Sequence, residues 1–237
     1  MKDISDALSG GNIVFLGGAG VSTESGIPDF RGEGGRFKAR SEFGFDPETM
    51  LSSDFFNSRP DVFFAYYKTL LPGDDIKPNN AHKALSKLEK AGKLLAVITQ
   101  NIDGLHQKAG SKNVIELHGS MMRNYCVKCG ERYGVERVAE AEGAPSCDKC
   151  KGTVRPDVVL YCENLDPDAL SGAVAAVSNA QTLIVGGTSL QVYPAAGLIN
   201  YYRGKRLVLI NRERTPYDSR ADLVIRGSIG EVLSAYA

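Results

Sequence analysis

Four polar side chains fall in one short window, LAVITQNIDGLHQKAGSKNVIELHG (95–119): Gln100, Asn101, Asp103 and His118. An imidazole exchanges protons near neutrality, and a carboxylate flanked by two amides can hold hydroxyl or carboxamide groups in place. Acid–base chemistry on a polar ligand is the natural use of such a set. A second group is Cys126-x-x-Cys129 with Cys147-x-x-Cys150, 17 residues between the pairs. Four thiolates so spaced suit tetrahedral zinc, and four cysteines leave no open position for water. That metal is therefore expected to be structural. The fifth cysteine, Cys162, is expected to be a small buried filler.

These side chains need elements that bring them together. Apolar runs bounded by glycine or polar residues predict buried parallel strands near residues 12, 95, 114, 183, 207 and 223. The predicted fold is α/β, a doubly wound, Rossmann-like parallel sheet, with a smaller lobe made of a helical insertion and a zinc ribbon. In such sheets ligands bind off the carboxyl ends of the strands, which is where Gln100, Asn101, Asp103 and His118 would stand. Domain bounds follow: 1–28, 79–120 and 158–237 for the nucleotide-binding part, 29–78 for the insertion, 121–157 for the ribbon. The first strand runs into Gly17–Gly32, where glycines let main-chain N–H groups approach a phosphate ahead of a helix N-terminus. Thr23 stands where GxGxxG needs its third glycine, so the plain dinucleotide fingerprint is not met. Proline at the first turn and Pro72-Gly73 at the end predict a helix over 59–71; apolar periodicity predicts another over 79–91 and a third over 166–177. His82 is expected to be structural, and His106 to be structural or to support the site from behind.

Lys and Arg number 28, equal to Asp and Glu, so no net field draws the chain to nucleic acid or an anionic membrane. Charges in the ribbon are balanced as well. The chain lacks an ~18-residue apolar run and a signal-peptide core, and paired cysteines suit a reducing compartment, so a cytoplasmic location is expected, with a monomer.

The string GAGVSTESGIPDFRG is similar to the signature of the sirtuins, the NAD-dependent protein lysine deacylases. The resemblance recurs through PNNAH at 78–82, TQNIDGLH at 99–106, ELHG at 116–119, the two CxxC pairs, RPDVVLY at 155–161 and GGTSLQVYPAAGL at 186–198. It implies that NAD is consumed, that nicotinamide leaves, and that the acetyl group passes to ADP-ribose, freeing lysine. It further implies His118 as general base and Asn101 as orienting the ribose. Asp103 would bind the carboxamide, with Gln100 and Ile102 lining that pocket. Gly18, Ala19, Gly20, Thr23, Asp29, Phe30 and Arg31 would contact NAD from the first loop. Gly187, Thr188, Ser189, Asn211 and Ile229 would do so from the later strands. Val158, Val159 and Leu160 would clamp an acylated-lysine peptide by main-chain pairing. Cys162 replaces the usual glycine after the aromatic, and Ser228 a frequent aspartate. The Tyr-x-x-Arg pair that reads acidic acyl groups falls on Ala65 and Lys68, which implies acetyl-lysine, with tolerance for longer apolar chains.

Other classes compete. A dehydrogenase could use His118 and Asp103 as a proton relay but would want the complete fingerprint. A cysteine hydrolase lacks an activated thiol, four being committed to metal. Protein mono-ADP-ribosyl transfer would use the same NAD cleft, and a non-catalytic NAD-sensing module would not need His118.

Overall fold

The computed structural model describes residues 4–28 and 40–236. Among the described residues nine strands form two sheets. β1 (Ile13–Gly17), β2 (Leu94–Thr99), β3 (Val114–Glu116), β7 (Thr182–Gly186), β8 (Arg206–Ile210) and β9 (Leu223–Ile225) make a parallel sheet of order β3-β2-β1-β7-β8-β9. The chain thus winds one way from β1 to β3 and the other way from β7 to β9. The reversal lies between β1 and β7, paired from Ile13↔Thr182 to Gly17↔Gly186.

Side-chain alternation shows why these runs are apolar throughout. Val14 and Leu16 point to one face and Ile13 and Phe15 to the other, as do Leu183 and Val185 against Ile184. Both faces are covered, so neither parity of the strand can be polar. The Pro167–Asn179 helix covers the first face and the Asn80–Lys90 helix the second. Each helix starts on a side-chain cap: Asp166 accepts from the amides of Asp168 and Ala169, and Asn79 from Ala81.

The smaller lobe is built from both insertions. β4 (Gly119–Cys126), β5 (Arg132–Gly134) and β6 (Val154–Val158) form an antiparallel sheet of order β5-β4-β6. Phe55, Phe56, Phe63, Phe64 and Tyr67 from the helices at 53–58 and 60–68 pack on Met121, Val158 and Leu160. The aromatic run therefore fills a core, as its composition suggests. Among the described residues no helix is long and apolar enough to cross a membrane.

His82 and His106 take structural places, as expected. The His82 Nδ1 accepts the Asn79 amide at 3.3 Å, closing a capping box, and its ring lies 4.7 Å from that of His106. Both are buried. Desolvation lowers His82 to a pKa of about 4, against a small opposing pull from Glu24, and lowers His106 to about 3, helped by His82. The unfolded chain, with histidines near the ordinary 6.5, takes up protons first. Stability is therefore full above about pH 6.5 and falls as pH drops towards 4. Each site contributes a slope approaching ~1.4 kcal/mol per pH unit. Urea unfolding at pH 7.5, 6 and 5 should show this decline, and His106→Phe should remove about half of the part carried by the pair. Parallel pH profiles for parent and variant would contradict it.

Candidate active site and metal centre

β1 ends in a glycine loop that meets the loop after β7. The Gly20 amide donates to the Gly187 carbonyl at 2.8 Å and the Gly18 amide to Gly186 at 3.3 Å. A Cβ on Gly20 would lie 2.7 Å from the Gly187 Cα, and Gly187 has φ +61° with its own Cβ position 2.5 Å from the Val21 nitrogen. The glycines thus permit contact between two main chains, and the Gly18 and Gly20 amides are engaged by carbonyls rather than offered to a phosphate. Two short 3-10 turns, Ala19–Val21 and Thr23–Ser25, follow in place of the expected helix.

The turn places Ser22, buried at 1% exposure, against the polar break after β2. Its hydroxyl donates to Asp103 Oδ2 at 2.6 Å and accepts from Asn101 Nδ2 at 3.0 Å. The Leu105 amide holds the other Asp103 oxygen at 2.9 Å. Burial raises the Asp103 carboxyl above the usual range, against the pull of the Ser22 and Leu105 donors. Ser22 was not singled out from sequence, because its partners lie about eighty positions away. The available signal was a hydroxyl within the glycine-rich string.

His118 follows β3 at the point where the chain passes from the large sheet to the small one. Its Nδ1 lies 2.8 Å from the Gln100 carbonyl oxygen. A carbonyl only accepts, so Nδ1 carries the proton, and in the uncharged form of the ring Nε2 is the nitrogen with the lone pair. Gln100 is fixed by its amide to the Gly17 carbonyl and by its side chain to Thr188 Oγ1 at 3.2 Å.

A cavity of about 550 Å³ gathers Ala19, Ser22, Gln100, Asn101, Ile102, Asp103 and His118 with Val158–Leu160. Gly187, Thr188 and Ser189 follow β7 and Asn211 follows β8, along the same sheet edge but outside this cavity. Gly18, Gly20 and Thr23 are also outside its walls. Ile229 is 1% exposed, its side chain lying over Gly186, so any ligand contact there would be by main chain. Asp29, Phe30 and Arg31 lie outside the described residues.

The segment expected to pair with a peptide makes bonds within the chain. β6 ends at Val158, the Val159 amide donates to the His118 carbonyl at 3.0 Å, and the Leu160 amide to Glu163 Oε2 at 2.9 Å. Arg155, packed over Phe56 and Tyr125, pairs with Glu163 at 2.8 Å and donates to the Val158 carbonyl. This staple bends the chain after β6. Cys162 is exposed and has φ +71°, correcting the buried-filler expectation. A glycine would take this conformation without strain.

The four ribbon cysteines converge, with all Sγ atoms within 4.8 Å of one another. Cys126 and Cys150 are 3.4 Å apart and Cys129 and Cys147 3.6 Å. Tetrahedral zinc with bonds of about 2.3 Å separates its sulfurs by about 3.8 Å, so the cradle fits the ion after slight expansion. The cluster stands away from the cavity that holds His118, as a structural metal should.

Residues 18–194 match the Sir2 family profile. An NAD-dependent protein deacetylase of Clostridium perfringens is 61% identical over 94% of this chain and 91% of its own, and one of Clostridium acetobutylicum 58% over the same shares. Among solved structures, a Sir2 protein with a p53 peptide and NAD+ superposes with a TM-score of 0.87 at 42% identity, covering 99% of this chain and 96% of that one. A Sir2 homologue with NAD gives 0.89 at 37% identity, covering 100% and 93%.

The cysteine geometry predicts one zinc per chain by elemental analysis. Cys147→Ser should abolish it and lower the melting temperature by several degrees, since a structural ion contributes directly to folding. Full stability in a zinc-free variant would contradict the structural role.

Proposed function

The chain belongs to the Sir2 family, and from that premise we propose the roles by which its cavity carries out NAD-dependent protein deacetylation. The reaction converts an acetyl-lysine peptide and NAD to free lysine, nicotinamide and O-acetyl-ADP-ribose. NAD, when bound, supplies the ribosyl carbon from which nicotinamide departs and to which the acetyl oxygen becomes attached.

The observation that carries the assignment is the His118 tautomer. With Nδ1–H held by the Gln100 carbonyl at 2.8 Å, the ring is oriented and Nε2 is the basic nitrogen. We assign it the proton of a ribose hydroxyl, whose oxygen then becomes nucleophilic. Asn101, locked by Ser22, orients the ribose, and Asp103 receives the nicotinamide carboxamide. An ordered carboxyl held by two donors before ligand arrives is suited to that task, because little reorganisation accompanies binding. Gln100 and Ile102 line the pocket. Glycine-loop residues 18–20, Thr23, Asp29, Phe30, Arg31, Gly187, Thr188, Ser189, Asn211 and Ile229 are proposed for the remainder of the dinucleotide. The four cysteines hold zinc, which supports the ribbon and hence β6.

For the peptide, Val158, Val159 and Leu160 wall the cavity, but the amides of Val159 and Leu160 are engaged internally. Among the described residues the Cys162 main chain has no internal hydrogen bond, so pairing with the peptide is assigned one turn later than the strand itself. The Ala65–Lys68 pair supports acetyl preference: Ala65 is exposed, and Lys68 binds the Ala141 and Gly143 carbonyls of the ribbon. Neither lines the cavity. The reading extends to a monomer working in the cytoplasm without nucleic acid, in keeping with 28 basic and 28 acidic residues.

An acetyl-lysine peptide incubated with enzyme and NAD should lose its acetyl group with equimolar nicotinamide and acetyl-ADP-ribose by mass spectrometry. His118→Ala should lower turnover by roughly 10²- to 10⁴-fold with zinc content and melting temperature unchanged; near-parental turnover would remove His118 as base. Adenine-labelled NAD leaving its label on protein would favour ADP-ribosyl transfer instead. With succinyl-lysine peptide, kcat/KM should be at least about tenfold below the acetyl value, since burying an unmatched carboxylate costs more than ~1.4 kcal/mol. A succinyl preference would overturn the assignment of Ala65 and Lys68.

A further inference from the structure

The zinc cradle has a side-chain partner outside the four cysteines. Tyr133 lies in the middle of β5, paired with Asn124 of β4. Its hydroxyl reaches Cys147 Sγ at 3.2 Å and accepts the Asp148 amide at 2.9 Å. The amide occupies the acceptor side of the oxygen, so the single hydroxyl proton is directed at the sulfur. Among the described residues no other non-cysteine side chain bonds one of these four sulfurs; the other donors are main-chain amides, such as that of Lys128 to Cys126 at 3.4 Å.

Arg137 fixes this arrangement. Its guanidinium carbon lies 5.4 Å from the centre of the Tyr133 ring, it pairs with Asp148 at 2.7 Å, and it donates to the Ser146 carbonyl. One cation therefore grips the residues on both sides of Cys147 and the ring that bonds its sulfur. A cation over a phenol ring also draws electron density from the hydroxyl and makes it a better donor.

Four thiolates on a divalent ion carry a net charge of −2, and Cys126 and Cys147 are buried where water cannot relieve it. A donor on a ligating atom moderates that charge and fixes the ligand's direction. We propose that Tyr133, clamped by Arg137, is a positioning residue for the zinc site, withdrawing charge from the Cys147 thiolate and making the bound metal harder to release. Its influence reaches the substrate side through a short path. The Cys147 amide donates to the Gly152 carbonyl at 2.7 Å, Ser146 bridges Thr153, and the next residue starts β6.

The test uses the full-length protein loaded with zinc or, for spectroscopy, with cobalt(II). Tyr133→Phe keeps the ring beneath Arg137 and deletes the hydroxyl. Its thiolate-to-cobalt charge-transfer band should move to longer wavelength, because an undamped thiolate gives up an electron more readily. Zinc release on treatment with iodoacetamide, followed by a chromogenic chelator, should be several-fold faster. Released zinc is read rather than bound label, because exposed Cys162 will also alkylate. Arg137→Met keeps the hydroxyl and should shift band and rate the same way by less. This second variant decides the question if Tyr133→Phe does not fold. A metal-loaded Tyr133→Phe protein with the parent band and release rate overturns the proposal, as does an unshifted Arg137→Met protein where only that variant folds.

Discussion

The active site depends on a main-chain contact at the reversal of the large sheet. Gly20 donates to Gly187 at 2.8 Å across a gap that no Cβ can enter from either side. In a doubly wound sheet the loops after the two central strands diverge and leave a crevice. Here one point of that crevice is closed by glycine against glycine, and the β1 loop is turned inward at the residues that follow. Ser22 is buried because of this turn, and its hydroxyl bridges Asn101 and Asp103. Replacing either glycine would push the loops apart and separate the serine from both partners.

A second constraint orients His118. Its ring bonds back to the Gln100 carbonyl of the large sheet, while its own carbonyl accepts the Val159 amide from the end of β6. Gly119 follows at φ +73°, where a Cβ would lie 2.0 Å from the Asp157 carbonyl oxygen. The histidine is thus fixed at the junction of the two lobes by main-chain bonds to each. The zinc ribbon contributes indirectly. It holds the far end of β6, and β6 sets the position of the segment that walls the cavity beside His118.

Much of this was legible in the sequence for specific reasons. The six parallel strands announced themselves because burial on both faces forces continuous apolar runs. The zinc site announced itself because thiolate spacing is set by the ion. The Gln100–Asp103 break and His118 stood out because strands of this sheet type point their carboxyl ends at a ligand. Ser22 could not be read so, since a buried hydroxyl is defined by what it touches and its partners are far along the chain. The glycine loop carries two readings for a related reason: glycines that admit a phosphate and glycines that admit another main chain have the same local sequence. Cys162 was misjudged because composition ranks free cysteine as buried, whereas the Arg155–Glu163 staple turns the chain outward at that position.

The two lobes also divide the tolerances of the chemistry. The large sheet fixes Asn101, Asp103 and the His118 ring through hydrogen bonds of 2.6–3.0 Å to a buried serine hydroxyl and a main-chain carbonyl. The segment after β6 is held instead by an arginine on aromatic faces and a turn in a left-handed conformation. Such a division suits a reaction that joins a dinucleotide to an acylated peptide. Rigid alignment is needed where bonds are made and broken, and main-chain recognition elsewhere can accept many sequences.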